Sequence, residues 1–299
     1  MLMIRCLLLF LFGFTGTFAD AKSWPLTEGQ EWVGHSYTVT PKPGDTLSTI
    51  GLRYSMGAEE MRRANPMIDP IRPLTNPSQI KIPESFILPN APHEGIVINL
   101  PEYRLYYYPP DKSEVIIMPV GIGRAGWKTP LGVTSITTLS ESPVWRPTIN
   151  VRLEAARNGT PIPNQFPPGP DNPLGQYVLR LGWPTYLIHG TNRPEGVGAR
   201  VSAGCIRMLP TDIDYLYHNV RVGTPVRVVN QTLKYTRVAN KLLVQAYPSV
   251  IAEEEELSPA EKLHNIFSST GGSLTVAIQD KINERSGEVI LMPDFFHAD

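Results

Sequence analysis

The chain has 299 residues, enough for two modest domains or one large one, and 41% hydrophobic with 18% charged residues is the balance of a protein that buries real cores. Its 30 Pro and 24 Gly favour turns and strands and weigh against a helical bundle. With 27 Lys+Arg against 28 Asp+Glu the net charge is -1, so no global basic field marks nucleic acid as a partner and specificity must reside in a local site.

Residues 1–21 read as a secretory signal. Arg5 supplies the positive start, Leu7 to Phe14 the apolar centre, and Thr17, Ala19 and Ala21 the small residues expected around a cleavage point. The apolar run falls short of the roughly 20 residues that span a bilayer, so export is expected rather than anchoring. Of the 2 cysteines, Cys6 lies inside this signal and only Cys205 is kept. A lone thiol makes no internal disulfide; it is a buried apolar residue, an intermolecular linker or a nucleophile, and its neighbours must decide.

Residues 37–84 predict a strand, two helices and a strand. Tyr37 to Thr40 alternates, Pro43-Gly44-Asp45-Thr46 turns, Leu47, Ile50, Leu52 and Tyr54 follow at helical spacing, and a second helix from Ala58 to Ala64 stops at Asn65-Pro66 before the strand Gln79 to Pro83. This stretch resembles a LysM module, through YTV, PGDTLSTIG, the RRANP step and the closing QIKIP. The resemblance implies binding of N-acetylglucosamine-containing glycan, with Pro41-Lys42 as an additional pair before the turn; a spacer that binds nothing is the bland reading.

From residue 93 to 229 short strands follow one another: Ile96–Leu100, Tyr103–Tyr108, Val115–Val120, Val133–Thr138, Tyr177–Leu181, Tyr186–His189 and Val226–Val229. Turns rich in Pro and Gly separate them, so the expected class is mainly β, with a β-sandwich or barrel-like domain following the small βααβ unit. One helix is expected within it, after Cys205, with Thr211 as N-cap, Asp214 three residues on and Ile213, Leu216 and Tyr217 as its apolar stripe. Residues 230–299 read as a mixed C-terminal extension, with strand-like Leu242-Leu243-Val244, the acidic run 253–256 and a helix from Pro259 to Phe267. The acids suit a solvated helix entrance.

Six histidines are scattered without ligand spacing, so neither a metal nor another cofactor is expected. Gly121-Ile122-Gly123-Arg124-Ala125-Gly126 matches a dinucleotide-binding glycine motif after an apolar strand. The sequel Trp127 to Gly132 places Pro and Gly where the phosphate-binding helix would have to begin, so these glycines read as a β-turn.

The stretch richest in chemistry runs from Leu187 to Arg207. His189 closes an apolar strand and Cys205 returns sixteen residues later. A thiol with an ordinary pKa near 8.5 needs a neighbouring imidazole to take its proton and later protonate a leaving amine. No acid is near in sequence to orient that ring, so the Gly190 carbonyl is assigned as the acceptor of the imidazole N–H. Gly204 allows close backbone approach, and the amides near Gly204 and Cys205 are candidates for an oxyanion; Arg207 and Arg200 are candidates for a substrate carboxylate. Trp145 and the Pro-rich stretch 161–173 are candidate walls or lids over the site, against the plain readings of a core aromatic and a rigid loop.

The arrangement of His189-Gly190 followed by Ser202-x-Gly204-Cys205-x-Arg207 resembles the signature of the L,D-transpeptidase family, YkuD-type or ErfK/YbiS-type. Supporting stretches are EGIVIN at 94–99, LYYYP at 105–109, PVGIGRAGWKTP at 119–130, PVWRPT at 143–148, PPGPDNPLGQYVL at 167–179, IHGTN at 188–192 and RVSAGCIRM at 200–208. The resemblance implies a periplasmic cysteine enzyme acting on peptidoglycan stem peptides. Such an enzyme cleaves the meso-diaminopimelate to D-alanine bond of a tetrapeptide and passes the acyl group to an amine, either a lysine of a Braun-type outer-membrane lipoprotein or another diaminopimelate. It further implies Cys205 as nucleophile, His189 as acid/base, Gly190 as carbonyl orienter and Arg207 as carboxylate binder. Arg200, Ser202, Gly204 and Trp145 stand beside these as substrate-side candidates read from the residues themselves. One departure stands out: the family pattern has Ser-His-Gly-Cys, and here Ala203 replaces that histidine. The competing readings are a peptidoglycan-binding scaffold without catalysis and a carboxypeptidase or amidase that hands the acyl group to water.

Overall fold

A computed structural model describes residues 21–75, 79–251, 257–268 and 274–292. All but the last residue of the expected signal, Cys6 and the acidic run 253–256 lie outside the described residues. No helix among the described residues is long and apolar enough to cross a membrane.

The N-terminal unit comprises β1 (Lys22–Pro25), β2 (Trp32–Gly34), β3 (Tyr37–Val39), α1 (Leu47–Arg53), α2 (Ala58–Ala64), β4 (Ile80–Ile82) and β5 (Ser85–Ile87). The βααβ order read from sequence is present: β3 pairs antiparallel with β4, and the two helices lie between them in the chain. Thr46 caps α1 by accepting from the Thr49 amide, and Thr49 returns the bond, so two orphan amides of the first turn are satisfied locally.

The next elements are β6 (Gly95–Asn99), β7 (Arg104–Tyr108), β8 (Glu114–Gly123), β9 (Gly132–Glu141), α3 (Ile149–Arg157), β10 (Tyr177–Leu181), β11 (Leu187–His189), β12 (Arg200–Ser202), β13 (Ile206–Met208), α4 (Pro210–Asn219) and β14 (Pro225–Val229). Pairing runs β8-β13-β11-β10-β9-β14-β6-β7, and β7 pairs back onto β8, so the sheet closes into a barrel; β1 and β12 attach to β8 from outside that ring. The expected sandwich or barrel-like domain is therefore a closed barrel. Closure removes the exposed sheet edges that short strands otherwise present.

Period-two alternation explains why β6, β7 and β8 are apolar on both faces. Ile96, Ile98, Leu105, Tyr107, Ile116 and Met118 join the core together with Ile213 and Leu216 of α4. Their neighbours Val97, Tyr106, Tyr108, Val115 and Ile117 pack instead with Leu47, Ile50, Met61, Ile80 and Ile82 of the N-terminal unit. That unit thus shares a core with the barrel wall.

Two helix readings are corrected. The barrel domain carries α3, between β9 and β10, as well as α4; α3 has no buried residue, so it lacks the apolar stripe by which a surface helix is recognised. Thr211 is not the N-cap of α4: the helix begins at Pro210, with Leu209 at the cap position and no side-chain cap bond, because Pro fits the first helical position, where no amide partner is needed. The C-terminal extension forms β15 (Leu233–Val238), β16 (Lys241–Ala246), α5 (Pro259–Phe267), α6 (Val276–Asn283) and β17 (Ile290–Met292) around its own core of Leu242, Val244, Leu263, Ile282 and Met292. It is stitched to the rest: the buried Gln245 side chain donates to Ser85 O (2.9 Å) and accepts from Ile87 N (3.1 Å), and buried Lys234 pairs with Glu102 at 2.8 Å.

Candidate active site

Three barrel strands set the stage. Antiparallel to β10 and parallel to β13, β11 places His189 across from Val178 on one side and Arg207 on the other. Ile188, Ile206 and Leu179 face the main core, while Leu187 and Val178 face a second, smaller cluster that also holds Leu174. Cys205 stands just before β13, two residues ahead of Arg207, and packs against that smaller cluster together with Trp145. The barrel register thus brings His189, Cys205, Arg207 and Trp145, predicted separately along the sequence, onto one side of the wall.

His189 is 5% exposed, and its Nδ1 lies 2.6 Å from the Gly190 carbonyl oxygen. A carbonyl only accepts, so Nδ1 carries the proton and Nε2 is the basic nitrogen. Burial is the main reason the imidazole pKa falls to about 4, with the Arg207 guanidinium adding to the depression and the Gly190 bond opposing it. Burial also pushes the Cys205 thiol up, while an amide bond from Leu187 and the Arg207 charge pull it part of the way back. The thiol donates to the Thr185 carbonyl at 3.6 Å. Thr185 has φ +68°, an uncommon conformation for a β-branched residue, so a strained turn aims this acceptor at the sulfur.

The turn before Cys205 is held from two sides. Ser202 Oγ accepts from the Gly204 amide (3.1 Å) and donates to the Cys205 carbonyl (2.5 Å). Thr129 Oγ1 donates to the Gly204 carbonyl at 2.9 Å and accepts from the Gly123 amide at 3.2 Å. Ser202, 4% exposed, therefore braces the loop, and the Gly204 amide is spent on it rather than standing open for an oxyanion. Gly204 itself has φ +101°, and a Cβ there would lie 3.0 Å from the Tyr186 ring, so glycine is required for both reasons.

Arg207 is half-buried, its Nε has no hydrogen-bond partner, and Arg193 and Arg124 add positive charge around it with Glu195 as the opposing acid. The arrangement suits an anion, because a desolvated guanidinium with an unused N–H gains most from a carboxylate. Arg200 is placed differently: it is exposed on β12, and its Nε donates to the Gly123 carbonyl at 3.3 Å. The glycine motif ends as a turn in which the Trp127 amide donates to the Arg124 carbonyl at 2.9 Å with Gly126 at φ +80°, and no helix follows.

Trp145 and Phe166 exchange backbone bonds of 3.0 and 2.8 Å and pack their rings at a 35° tilt with centroids 5.1 Å apart, closing the excursion that carries α3. Sequence reasoning missed three residues that hold this neighbourhood. Asn172, 1% exposed, donates to the carbonyls of Pro143 (2.7 Å) and Pro167 (3.1 Å) and accepts from the Leu174 amide. At Gly175, φ +67°, a Cβ would lie 2.7 Å from the Thr191 nitrogen and 3.0 Å from the Gly190 carbonyl carbon. Thr129 is the third. The turn-rich stretches 119–130 and 167–179 carried the signal, but not the partners.

A thiol and an imidazole presented by neighbouring strands of a closed barrel make a cysteine enzyme the class that fold and site together define. The sequence profile of the YkuD family, described as the L,D-transpeptidase catalytic domain, matches residues 93–228. The chain is 46% identical over 220 residues to "Probable L,D-transpeptidase ErfK/SrfK" of Escherichia coli K12, covering 72% of this chain and 70% of that protein. It is 37% identical over 290 residues to "Probable L,D-transpeptidase YbiS" of the same strain, covering 92% and 93%. Against "Probable L,D-transpeptidase YcfS", also from K12, identity is 42% over 229 residues, covering 74% and 71%. The chain belongs to the L,D-transpeptidase family.

Proposed function

We propose that this protein is an exported, periplasmic transpeptidase that cleaves the meso-diaminopimelate to D-alanine bond of peptidoglycan tetrapeptide stems through an acyl-thioester on Cys205. The observation that carries the reading is the 2.6 Å contact of His189 Nδ1 with the Gly190 carbonyl, which leaves Nε2 as the proton acceptor on the strand beside the thiol. Arg207 receives a stem carboxylate. The Cys205 proton passes to Nε2 as sulfur attacks the scissile carbonyl, and the imidazolium then protonates the departing amine of D-alanine. An acceptor amine, from a diaminopimelate or a lipoprotein lysine, loses its proton to the same nitrogen as it attacks the thioester and restores the thiol. Trp145 and the excursion around it shield the thioester from water. Residues 37–84 hold the glycan strand from which the stem hangs.

Incubating the protein with a tetrapeptide muropeptide and weighing it tests this directly. The expected result is a mass gain equal to the stem acyl group, lost in Cys205→Ala, with D-alanine released. A second product bearing an added amine separates transfer from hydrolysis. No adduct and no D-alanine release from the folded protein would leave a wall-binding scaffold.

A further inference from the structure

The segment between β11 and β12 leads from His189 toward the 202–205 turn and β13, which carries Arg207, and its far end is gripped by the N-terminal unit. The Ala58 amide donates to the Val197 carbonyl at 3.2 Å and the Glu59 amide to the Gly198 carbonyl at 3.1 Å. These are the first two amides of α2, whose cap residue Gly57 offers no side chain, so the segment itself satisfies donors that a cap would otherwise take. The contact is backbone on backbone: a Cβ on Gly198 would lie 2.2 Å from Gly57 Cα, and one on Gly57 would lie 2.9 Å from Gly198 Cα.

Both ends of this contact are anchored. On the N-terminal side, Arg104 of β7, 1% exposed, donates to the Ser55 carbonyl at 3.0 Å and pairs with the Glu60 carboxylate, which also accepts from the Gly57 amide at 3.2 Å. On the other side, a Cβ on Gly196 would lie 3.0 Å from Arg207 Nη1, and one on Gly121 would lie 3.0 Å from the Gly196 carbonyl oxygen. A path therefore runs from the barrel wall through Arg104, Glu60 and Gly57 to Gly198, and along the chain from Gly198 to Gly196, which has room for no Cβ beside the guanidinium.

We propose that Gly57 and Gly198 are positioning residues through which the N-terminal unit sets the place of Arg207, so that this unit is part of substrate recognition in the barrel as well as a wall anchor. The inference rests on the reading of Arg207 as the carboxylate binder. Loss of the contact lets the 190–199 segment shift away from the guanidinium, which weakens stem binding and leaves the thiol chemistry in place.

Gly57→Ala is the decisive variant. Gly57 has φ -71°, which alanine adopts freely, so its only new feature is the collision with Gly198. The expected outcome is a rise of roughly tenfold in KM for the tetrapeptide, in line with the cost of displacing a binding group by an ångström or less, with kcat within about twofold and unchanged alkylation of Cys205 by an uncharged reagent. Gly198→Ala should act in the same direction and more strongly, and the double variant should be no worse than the stronger single one. Gly223→Ala is the control: it has the positive φ of Gly198, +90° against +81°, but meets no neighbour within 4 Å, and its KM should equal that of the wild type. A folded Gly57→Ala protein with wild-type KM overturns the inference, and so does a fall in kcat with unchanged KM. Hydrogen exchange separates this failure from failure of the transpeptidase reading. If the wild type takes up no acyl group, faster exchange of amides 190–199 in Gly57→Ala than in Gly223→Ala sustains the coupling, and equal exchange refutes it.

Discussion

Cys205 and His189 are expected to rest as a neutral thiol beside a neutral imidazole, and the pH dependence of alkylation exposes this. The imidazole lies at about 4 against an ordinary 6.5, and burial pushes the thiol above its ordinary range, so both groups resist the charged form. At about 1.4 kcal/mol per unit the imidazole's displacement alone is ~3.5 kcal/mol against charging it, and the thiol's shift acts in the same direction, so the thiolate and imidazolium pair is a minor species in the free enzyme. Burial produces both shifts by disfavouring each charged form, so the pair is formed only as the sulfur attacks and the proton moves. The assay is the second-order rate of Cys205 alkylation by iodoacetamide from pH 4 to 11, with Cys205→Ala as blank. A single rise with its midpoint above pH 9 is expected. A reactive plateau between pH 5 and 8 would mean a preformed ion pair and refute the reasoning. Acylation by stem peptide should behave otherwise, holding its kcat/KM from neutrality down to near pH 4, where the imidazole charges.

Three further outcomes follow from the packing. Asp212 is wholly buried, both carboxylate oxygens lack partners and burial raises its pKa to about 7 from 3.8. The folded carboxyl stays protonated where the unfolded one ionises, so stability falls as pH rises from about 4 to 7; Asp212→Asn should therefore gain up to about 4 kcal/mol at pH 8 and almost nothing at pH 4, read as urea midpoints. Gly175→Ala, which drives a methyl into the Gly190 and Thr191 backbone, should cut acyl transfer more than about tenfold, and unchanged turnover would mean the Gly190 carbonyl does not need this support. Asn172→Ala leaves the Pro143 and Pro167 carbonyls and the Leu174 amide without their partner and should cost about 2–3 kcal/mol in thermal unfolding; a loss under about 0.5 kcal/mol would show that water replaces the amide.

What could be read from sequence was whatever repeats locally. The helices of 47–53 and 58–64 announced themselves through the turn at 43–46 and the stop at Asn65-Pro66, and the strands from 95 to 229 through alternation between turns. Closure of the barrel was not legible, because the parallel pairing of β14 with β6, the pairing of β13 with β8 and the attachment of β1 join strands remote in sequence, which no local pattern encodes. α3 was missed because none of its residues is fully buried and so no apolar stripe marks it, and β15, α6 and β17 because their apolar residues make sense only around the shared core of the extension. In the site, His189, Cys205 and Arg207 stood out by residue type, whereas Thr129, Asn172 and Gly175 act through backbone partners remote in sequence. A threonine that bonds a carbonyl 75 positions away carries no signature of its own.

Ala203 is the point where this chain leaves the family pattern, and the structure bears on why the turn survives it. The backbone on either side of position 203 is fixed by hydroxyls: Ser202 grips the Gly204 amide and the Cys205 carbonyl, and Thr129 grips the Gly204 carbonyl. None of these bonds involves the side chain at 203, so replacing histidine by alanine leaves the framework that presents the sulfur intact. The imidazole proposed above for proton transfer lies on β11 and is oriented by its own chain neighbour, Gly190. A site built this way divides its labour. The 202–205 turn that carries Cys205 is braced by the Ser202 and Thr129 hydroxyls and His189 by the Gly190 carbonyl, rather than by a third ionised group, so under the proposed roles an alanine at 203 leaves both reacting atoms in place.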